Sequence, residues 1–385
     1  MTALSAPPLS LYVHLPWCVR KCPYCDFNSH ALKGDLPEDA YVEALLLDLE
    51  EELALVPGRR IETVFFGGGT PSLFSAAALA RLIDRLRAAG ALAPTAEVTL
   101  EANPGAVEHG RFAQLRAAGI NRVSLGVQSF DASQLARLGR IHSAGESLKA
   151  IDELDRAGID NFNIDLMYGL PEQTLDQARR DLERALATGP AHISHYQLTL
   201  EPNTLFWHRP PPLPEDDQIG QMLADSQALL AAAGYEQYEV SAYAAPGRRS
   251  AHNVNYWTYG DYLGVGAGAH GKLTREGQIS RRTKRRHPAD YMKPDGSRLQ
   301  ESRAVPGPER VFEFMLNALR LRDGFDRQLF EARTGLGFEA ARAGMDAALE
   351  KGLLEPRANG WRASALGWRF LNDLQALFLP ETEHD

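Results

Sequence analysis

Short apolar runs alternate with longer amphipathic segments from about residue 9 to residue 240. A short apolar run is typical of a buried strand, whereas apolar residues three and four apart indicate a helix. Repetition of this pair predicts βα units and a parallel sheet, because parallel strands need a crossover between them. The predicted strands are SLYVHL from Ser10, ETVFFG from Glu62, AEVTLEA from Ala96, NRVSLGV from Asn121, NFNIDLM from Asn161 and HISHYQLTL from His192.

Helices are predicted near residues 37–56, 75–90, 108–118, 145–157, 174–188 and 215–233. Several end in a glycine, which favours the left-handed backbone just past a helix; these are Gly90, Gly119, Gly158, Gly189 and Gly234. The pattern predicts an α/β fold, either a doubly wound sheet or an incomplete (β/α)6 barrel of the TIM type. In both architectures ligands bind at the C-terminal ends of the strands.

The pattern changes after Tyr235, where aromatic and glycine-rich sequence is followed by a stretch punctuated by proline and glycine. We interpret residues 1–240 as the core domain and 241–308 as a connecting region. Residues 309–385 contain two helical patterns, the hairpin-like GLLEPRANGWRAS and a last helix from Ala365. Helices followed by a hairpin predict a smaller C-terminal α+β domain of winged-helix type.

Charge and hydropathy narrow the functional class. The 385 residues carry a formal net charge of −9, which argues against general nucleic-acid binding. No run approaches the roughly 20 apolar residues of a membrane span, and the first residues lack a secretion signal. We therefore expect a cytoplasmic protein, with peripheral membrane contact and oligomeric state left open. A basic run over residues 281–287 is expected to be a solvated loop, with contact to an anionic ligand as the alternative.

All three cysteines, Cys18, Cys22 and Cys25, follow the first predicted strand within eight residues. A clustered, odd set of cysteines favours a metal or cofactor site over a disulfide framework. Three thiolates can hold a 4Fe-4S cluster and leave the fourth iron open to a small molecule. The alternative is a structural zinc site, completed by Asp26 or His30.

Other strand ends carry polar or glycine motifs that would face the same cleft. A triple glycine, GGGTP, ends the second strand and permits close backbone approach to a ligand. Glu101, Gln128 and Asp165 lie at or near the ends of three further strands. The alternative for each is a hydrogen-bonding role at a strand end or a helix cap. Their register with the cysteine loop favours one shared site.

The CxxxCxxC spacing after a strand resembles the radical S-adenosylmethionine (SAM) superfamily, which implies an incomplete barrel, a 4Fe-4S cluster and SAM chelated to the open iron. The motifs YVHLPWC, FFGGGTPS, LEANPG, SLGVQSF, NIDLMYGLP and HNVNYW resemble oxygen-independent coproporphyrinogen III dehydrogenase and its relatives. This resemblance implies an accessory C-terminal domain at 309–385. It also implies SAM contacts at Tyr12, Gly68, Gly69, Thr70, Glu101, Gln128, Arg140 and Asp165.

Two departures indicate the branch of this family. The dehydrogenase has a fourth cysteine where this chain has Phe27, and a longer extension than the 17 residues before Cys18. Both features resemble the HemW group of heme chaperones, which bind heme and transfer it to acceptors such as respiratory enzymes. The alternative is the dehydrogenase itself, acting by radical oxidative decarboxylation.

Within HNVNYW, His252 is the preferred heme ligand, because a neutral imidazole is a good axial ligand for heme iron. Asn253 would orient the imidazole, while Tyr256 and Trp257 would cover the porphyrin. The alternative is that His252 is a hydrogen-bonded histidine in an aromatic core. His270 is a second, less favoured candidate.

Overall fold

The computed structural model describes residues 4, 6–105, 111–294 and 296–380. Its strands are β1 Leu9–Leu15, β2 Trp17–Cys18, β3 His30–Ala31, β4 Ile61–Gly68, β5 Leu92–Ala102, β6 Arg122–Gln128, β7 Phe162–Tyr168, β8 His192–Gln197, β9 Glu236–Glu239, β10 Ala242–Ala244, β11 Asp261–Val265, β12 His270–Arg275, β13 Gln278–Lys284, β14 Leu299–Ala304, β15 Leu354–Arg357 and β16 Gly360–Ala363.

The helices alternate with these strands over the first two thirds of the chain and dominate the last part. They are α1 Glu38–Leu53, α2 Ala76–Ala88, α3 Phe112–Ala118, α4 Ala132–Arg137, α5 Ala144–Ala157, α6 Leu175–Leu186, α7 Leu205–His208, α8 Asp216–Ala232, α9 Ala251–Trp257, α10 Pro288–Tyr291, α11 Gly307–Ala318, α12 Arg327–Thr334, α13 Arg342–Glu350, α14 Ala365–Arg369 and α15 Leu371–Ala376.

The six predicted strands are β1, β4, β5, β6, β7 and β8, which lie side by side in this order and pair in parallel. Every residue of β6 is buried, as expected for a parallel strand covered on both faces. All five glycines predicted to follow helices have positive φ, between +63° and +116°. The α/β barrel-type prediction is confirmed. The first residues of the helix predicted at 108–118 lie outside the described residues.

Both edges of this parallel sheet are extended by strands from the region after Tyr235. On one edge β11 pairs in parallel with β1, and β12, β13 and β14 follow antiparallel. On the other edge β10 pairs with β8, and β9 with β10. The predicted connecting region 241–308 therefore contributes structure to the main sheet, which has 12 strands. Its boundaries stay a prediction.

The C-terminal helices and the hairpin of β15 and β16 enclose a second hydrophobic core. Phe314 of α11 lies at its centre and contacts the rings of Phe325 and Phe330 edge-on, at centroid distances of 5.4 and 5.2 Å. The predicted order of helices followed by a hairpin is observed. Helix α11 also contacts α9, so the second core packs against the barrel extension.

Buried ion pairs hold the added strands in place. The Asp261 carboxylate, at the start of β11, accepts hydrogen bonds from Lys272 Nζ at 3.2 Å and from Arg59 at 2.8 Å. On β13, Lys284 Nζ is bonded to Glu52 of α1 at 2.7 Å and to Asp48. Removing one partner of such a pair leaves an uncompensated charge in the interior, which is strongly destabilising. These contacts therefore specify where β11 to β13 lie.

We predict that Asp261→Asn lowers the free energy of unfolding by about 3 kcal/mol, because Lys272 then remains buried without a counter-charge. Urea unfolding followed by circular dichroism at pH 7 measures the change. Asp155→Asn on the exposed face of α5 is the matched control and should leave stability within about 0.5 kcal/mol of wild type. Equal midpoints for the two variants would contradict the prediction.

Candidate functional site

A bay of about 410 Å³ opens at the C-terminal ends of the parallel strands. The structure brings ten of the predicted site residues to its walls: Cys18, Cys22, Cys25, Gly68, Gly69, Thr70, Glu101, Gln128, Arg140 and Asp165. They come from the cysteine loop, from the ends of β4 to β7 and from the segment after α4. Parallel strands finish at the same edge of a sheet, which is why residues so distant in sequence meet here.

The cysteine loop is closed at its base by two backbone hydrogen bonds. The His30 amide donates to the Pro16 carbonyl at 2.7 Å, and the Leu32 amide donates to the Cys18 carbonyl at 2.8 Å. All three thiols are half-buried and line the bay. Among the described residues, no three His, Cys, Asp or Glu side chains converge closely enough to hold a single metal ion. The loop thus presents three separated thiols around one open space.

The glycine turn after β4 lies directly against the chain that leaves β1. Gly69 donates its amide to the Leu15 carbonyl and Thr70 donates to the Trp17 carbonyl, each at 2.8 Å. A Cβ on Gly69 would lie 2.5 Å from the Trp17 oxygen, which is closer than real contacts allow. Gly68 has a φ of +118°, a conformation that favours glycine. The turn therefore requires glycine to position the base of the cysteine loop.

Two buried carboxylates face one side of the bay. Glu101 accepts a hydrogen bond from the Gly68 amide at 3.0 Å, and burial together with the charge of Asp165 raises the pKa of Glu101 to about 7. Burial also raises the pKa of Asp165, although Ser124 and Asn163 donate hydrogen bonds to it. Desolvated carboxylates of this kind favour a cationic ligand.

Arg140 supplies the opposite charge from another wall. Its guanidinium donates to the Gly126 carbonyl at 2.8 Å, to Asn103 and to Cys22 Sγ at 3.5 Å. Its Nε is buried without a hydrogen-bond partner among the described residues. The bay therefore offers carboxylates for an ammonium or sulfonium group and a guanidinium for a carboxylate, which matches a zwitterionic ligand.

The sequence interpretation missed several residues of the bay. Asn103 joins Arg140 to Thr70, whose hydroxyl accepts from Asn103 Nδ2 at 2.9 Å. Tyr196 donates to Gln128 Oε1 at 2.7 Å, and Ser194 lies on the same strand. The alternation of side chains along a strand could have predicted these residues, because side chains two positions apart share a face. Asn103 follows Glu101 by two positions, and Ser194 and Tyr196 are also two apart.

A second cavity, of about 840 Å³, adjoins this bay. Phe27, Gly68 and Glu101 line both spaces, and Phe27 is 58% exposed. Tyr12, predicted to flank the SAM site, lines this second cavity. Its hydroxyl donates to His14 Nδ1 at 3.0 Å, because His14 Nε2 must carry the proton that it donates to the Asn28 carbonyl.

The same cavity is walled by aromatic residues of α9 and β11 and by basic residues of β12 and β13. Tyr256 and Tyr262 meet edge-on at a centroid distance of 4.5 Å. Asn317 of α11 also lines the cavity, so the C-terminal helices border this space. A cavity of this size, mainly apolar with a few polar groups, suits a large planar ligand.

His252, the heme ligand preferred from the sequence, lies behind this wall. It is 1% exposed. Its Nδ1 is bonded to Thr63 Oγ1 at 2.7 Å and its Nε2 to the Tyr256 hydroxyl at 2.9 Å. Thr63 donates its own proton to Ser10, so the imidazole donates at Nδ1 and accepts at Nε2. Both ring nitrogens of His252 are therefore engaged in hydrogen bonds within the protein, and the role of His252 as a heme ligand stays a prediction.

Comparisons with known proteins agree with this architecture. The radical SAM superfamily model matches residues 12–185, and the HemN C-terminal domain model matches residues 305–370. The protein named heme chaperone HemW of Escherichia coli K12 is 51% identical over 97% of this chain and 99% of its own length. The chain belongs to the HemW family. The Haemophilus influenzae HemW is 48% identical over the same shares of both chains.

The chain shares its fold with a solved structure of E. coli coproporphyrinogen III oxidase (HemN), described as a radical SAM enzyme. That structure has a TM-score of 0.82, covers 97% of this chain and 90% of its own, and is 24% identical, so the likeness concerns the fold. Membership of the superfamily implies a 4Fe-4S cluster and SAM. Three thiols, a glycine turn and opposed charges in one bay fit those groups.

Among the described residues, no helix is both long and apolar enough to cross a bilayer.

Gly69→Ala should lower the free energy of unfolding by about 2 kcal/mol, because the new methyl group must displace the Trp17 carbonyl. Chemical denaturation of the apoprotein measures it. Gly220→Ala in α8 is the matched control, since a Cβ there meets nothing within 4 Å and alanine favours helix, so its stability should rise by up to about 1 kcal/mol. A Gly69→Ala protein as stable as wild type would contradict the steric argument.

Proposed function

We propose that this protein is a heme chaperone, which binds heme and transfers it to an acceptor protein such as a respiratory enzyme. In this proposal Cys18, Cys22 and Cys25 hold a 4Fe-4S cluster, and exchangeable SAM lies beside it. The observation that carries the proposal is the aromatic cavity of about 840 Å³ that shares Phe27, Gly68 and Glu101 with the cysteine bay. The near-full-length identity to HemW of E. coli supports the same function.

The residues of the bay divide between cluster and SAM. Three thiolates are available and the chain has no fourth cysteine, so Cys18, Cys22 and Cys25 would hold three irons and leave the fourth open to SAM. Glu101 and Asp165 would attract the cationic part of SAM, and Arg140 would bind its carboxylate. Gly68 and Gly69 let the backbone approach SAM closely. When bound, the cluster and SAM together can supply one-electron chemistry.

Anaerobic heme titration of cluster-reconstituted protein, run beside a coproporphyrinogen III turnover assay, tests the function. We expect saturable uptake of one heme per chain, and no conversion of coproporphyrinogen III. Phe27 occupies the position of the dehydrogenase's fourth cysteine, which motivates the second expectation. Conversion to protoporphyrinogen IX without stable heme uptake would overturn the proposal in favour of oxidative decarboxylation.

The raised pKa of Glu101 predicts that SAM affinity depends on pH. Only the ionised carboxylate attracts the cationic ligand, so binding requires loss of a proton from a group whose pKa is about 7. Affinity should therefore fall about tenfold between pH 8 and pH 6, the window in which this group becomes protonated. Equilibrium dialysis of SAM against cluster-loaded protein measures the trend.

Glu101→Gln should bind SAM more weakly at pH 8 and remove this part of the pH dependence, because the amide does not titrate in that range. Glu201→Gln is the matched control, since Glu201 lines the same bay from the segment after β8. A pH dependence equally steep in wild type and Glu101→Gln would show that another group is responsible.

A further inference from the structure

His270 differs from His14 and His252 in having an available imidazole. It begins β12 and lines the large cavity with an exposed side chain. Neither of its ring nitrogens makes a hydrogen bond within the described parts of the chain. His14 and His252, by contrast, each use both nitrogens in hydrogen bonds. An unengaged nitrogen lone pair facing a cavity is what an axial ligand of heme iron requires.

Strand alternation aims His270 into this cavity and surrounds it with cations. Side chains two apart share a face of a strand, and both His270 and Lys272 of β12 line the cavity. In the neighbouring strand β13, Thr283 lies opposite His270 and Arg281 opposite Lys272, and both line the same space. The basic run over residues 281–287 was expected from the sequence to be a solvated loop. Part of it instead forms a wall of the cavity.

We propose that His270 is the axial ligand of heme bound in this cavity, an inference that rests on the proposed function. Tyr256 and Tyr262, whose rings meet edge-on, supply aromatic surface against which a porphyrin can pack. Trp257 of α9 lines the same cavity and adds a third aromatic ring to this wall.

Arg286 is the residue that would bind a heme propionate. It is exposed at the cavity and makes no ion pair among the described residues, its contact being a hydrogen bond to Asn28 at 3.4 Å. The guanidinium of Arg281 already has partners within the protein, because it donates to Glu313 at 2.9 Å and to the Tyr262 hydroxyl at 2.6 Å. Arg281 therefore orders the aromatic wall, and Arg286 remains for an anion.

The same cations keep the imidazole in the form that binds iron. Burial and the charges of Arg281 and Arg286 lower the pKa of His270, so the neutral ring predominates at pH 7. With His270 as its single protein ligand, heme would be held by one coordinate bond from this chain. That arrangement suits a protein that must release heme as well as hold it.

The test titrates hemin anaerobically into full-length, cluster-reconstituted wild type and His270→Ala, and records optical and electron paramagnetic resonance spectra. We expect His270→Ala to weaken heme binding at least about tenfold and to lose the spectrum of nitrogen-ligated iron. Added imidazole should restore that spectrum, which a purely structural defect would not allow. His208→Ala, at an exposed histidine of α7, is the matched control and should behave as wild type.

The Arg286→Gln variant tests the propionate contact independently of the iron ligand. It should weaken binding of hemin while leaving the ligand spectrum unchanged, and this difference should vanish with the hemin dimethyl ester, whose propionates carry no charge. Wild-type protein that binds heme, with affinity and spectrum unaltered by His270→Ala, would overturn the ligand assignment and leave the chaperone proposal standing. Wild-type protein that takes up no heme would overturn both.

Discussion

The close approach of the glycine turn after β4 to the chain leaving β1 is the constraint on which the site depends. Gly69 and Thr70 bond to carbonyls on either side of Pro16, and a side chain at Gly69 would force these segments apart. The base of the cysteine loop is held in the same place. A single turn therefore determines where the three thiols lie relative to the sheet, and which groups at the strand ends they face.

Charged groups of opposite sign lie on different sides of the bay. Glu101 and Asp165 are buried on one side, where desolvation makes ionisation costly in the absence of a cation. Arg140 lies on another side with a buried Nε that no described residue satisfies. Such groups are tolerated when a ligand completes them. The bay is thus organised for an ion-paired ligand before that ligand arrives, which reduces the reorganisation that binding requires.

Buried ion pairs create the second cavity. Lys272 with Asp261, and Lys284 with Asp48 and Glu52, anchor β11 to β13 beside β1. Without these strands the parallel sheet would end at β1, and the space above Tyr12 would lack its basic wall. A ligand in this cavity would lie next to one in the cysteine bay, separated from it by the shared residues Phe27, Gly68 and Glu101.

The sequence by itself determined the six parallel strands and their helices, because hydrophobic periodicity is a local property of the chain. It also determined that the cysteine loop converges with residues such as Glu101, because parallel strands end at one edge of the sheet. It did not reveal that residues 241–308 extend the sheet, since that pairing joins distant segments. From the sequence, His252 was preferred over His270 as a heme ligand. Only tertiary packing decided that Thr63 and Tyr256 engage both nitrogens of His252, whereas the imidazole of His270 makes no hydrogen bond among the described residues.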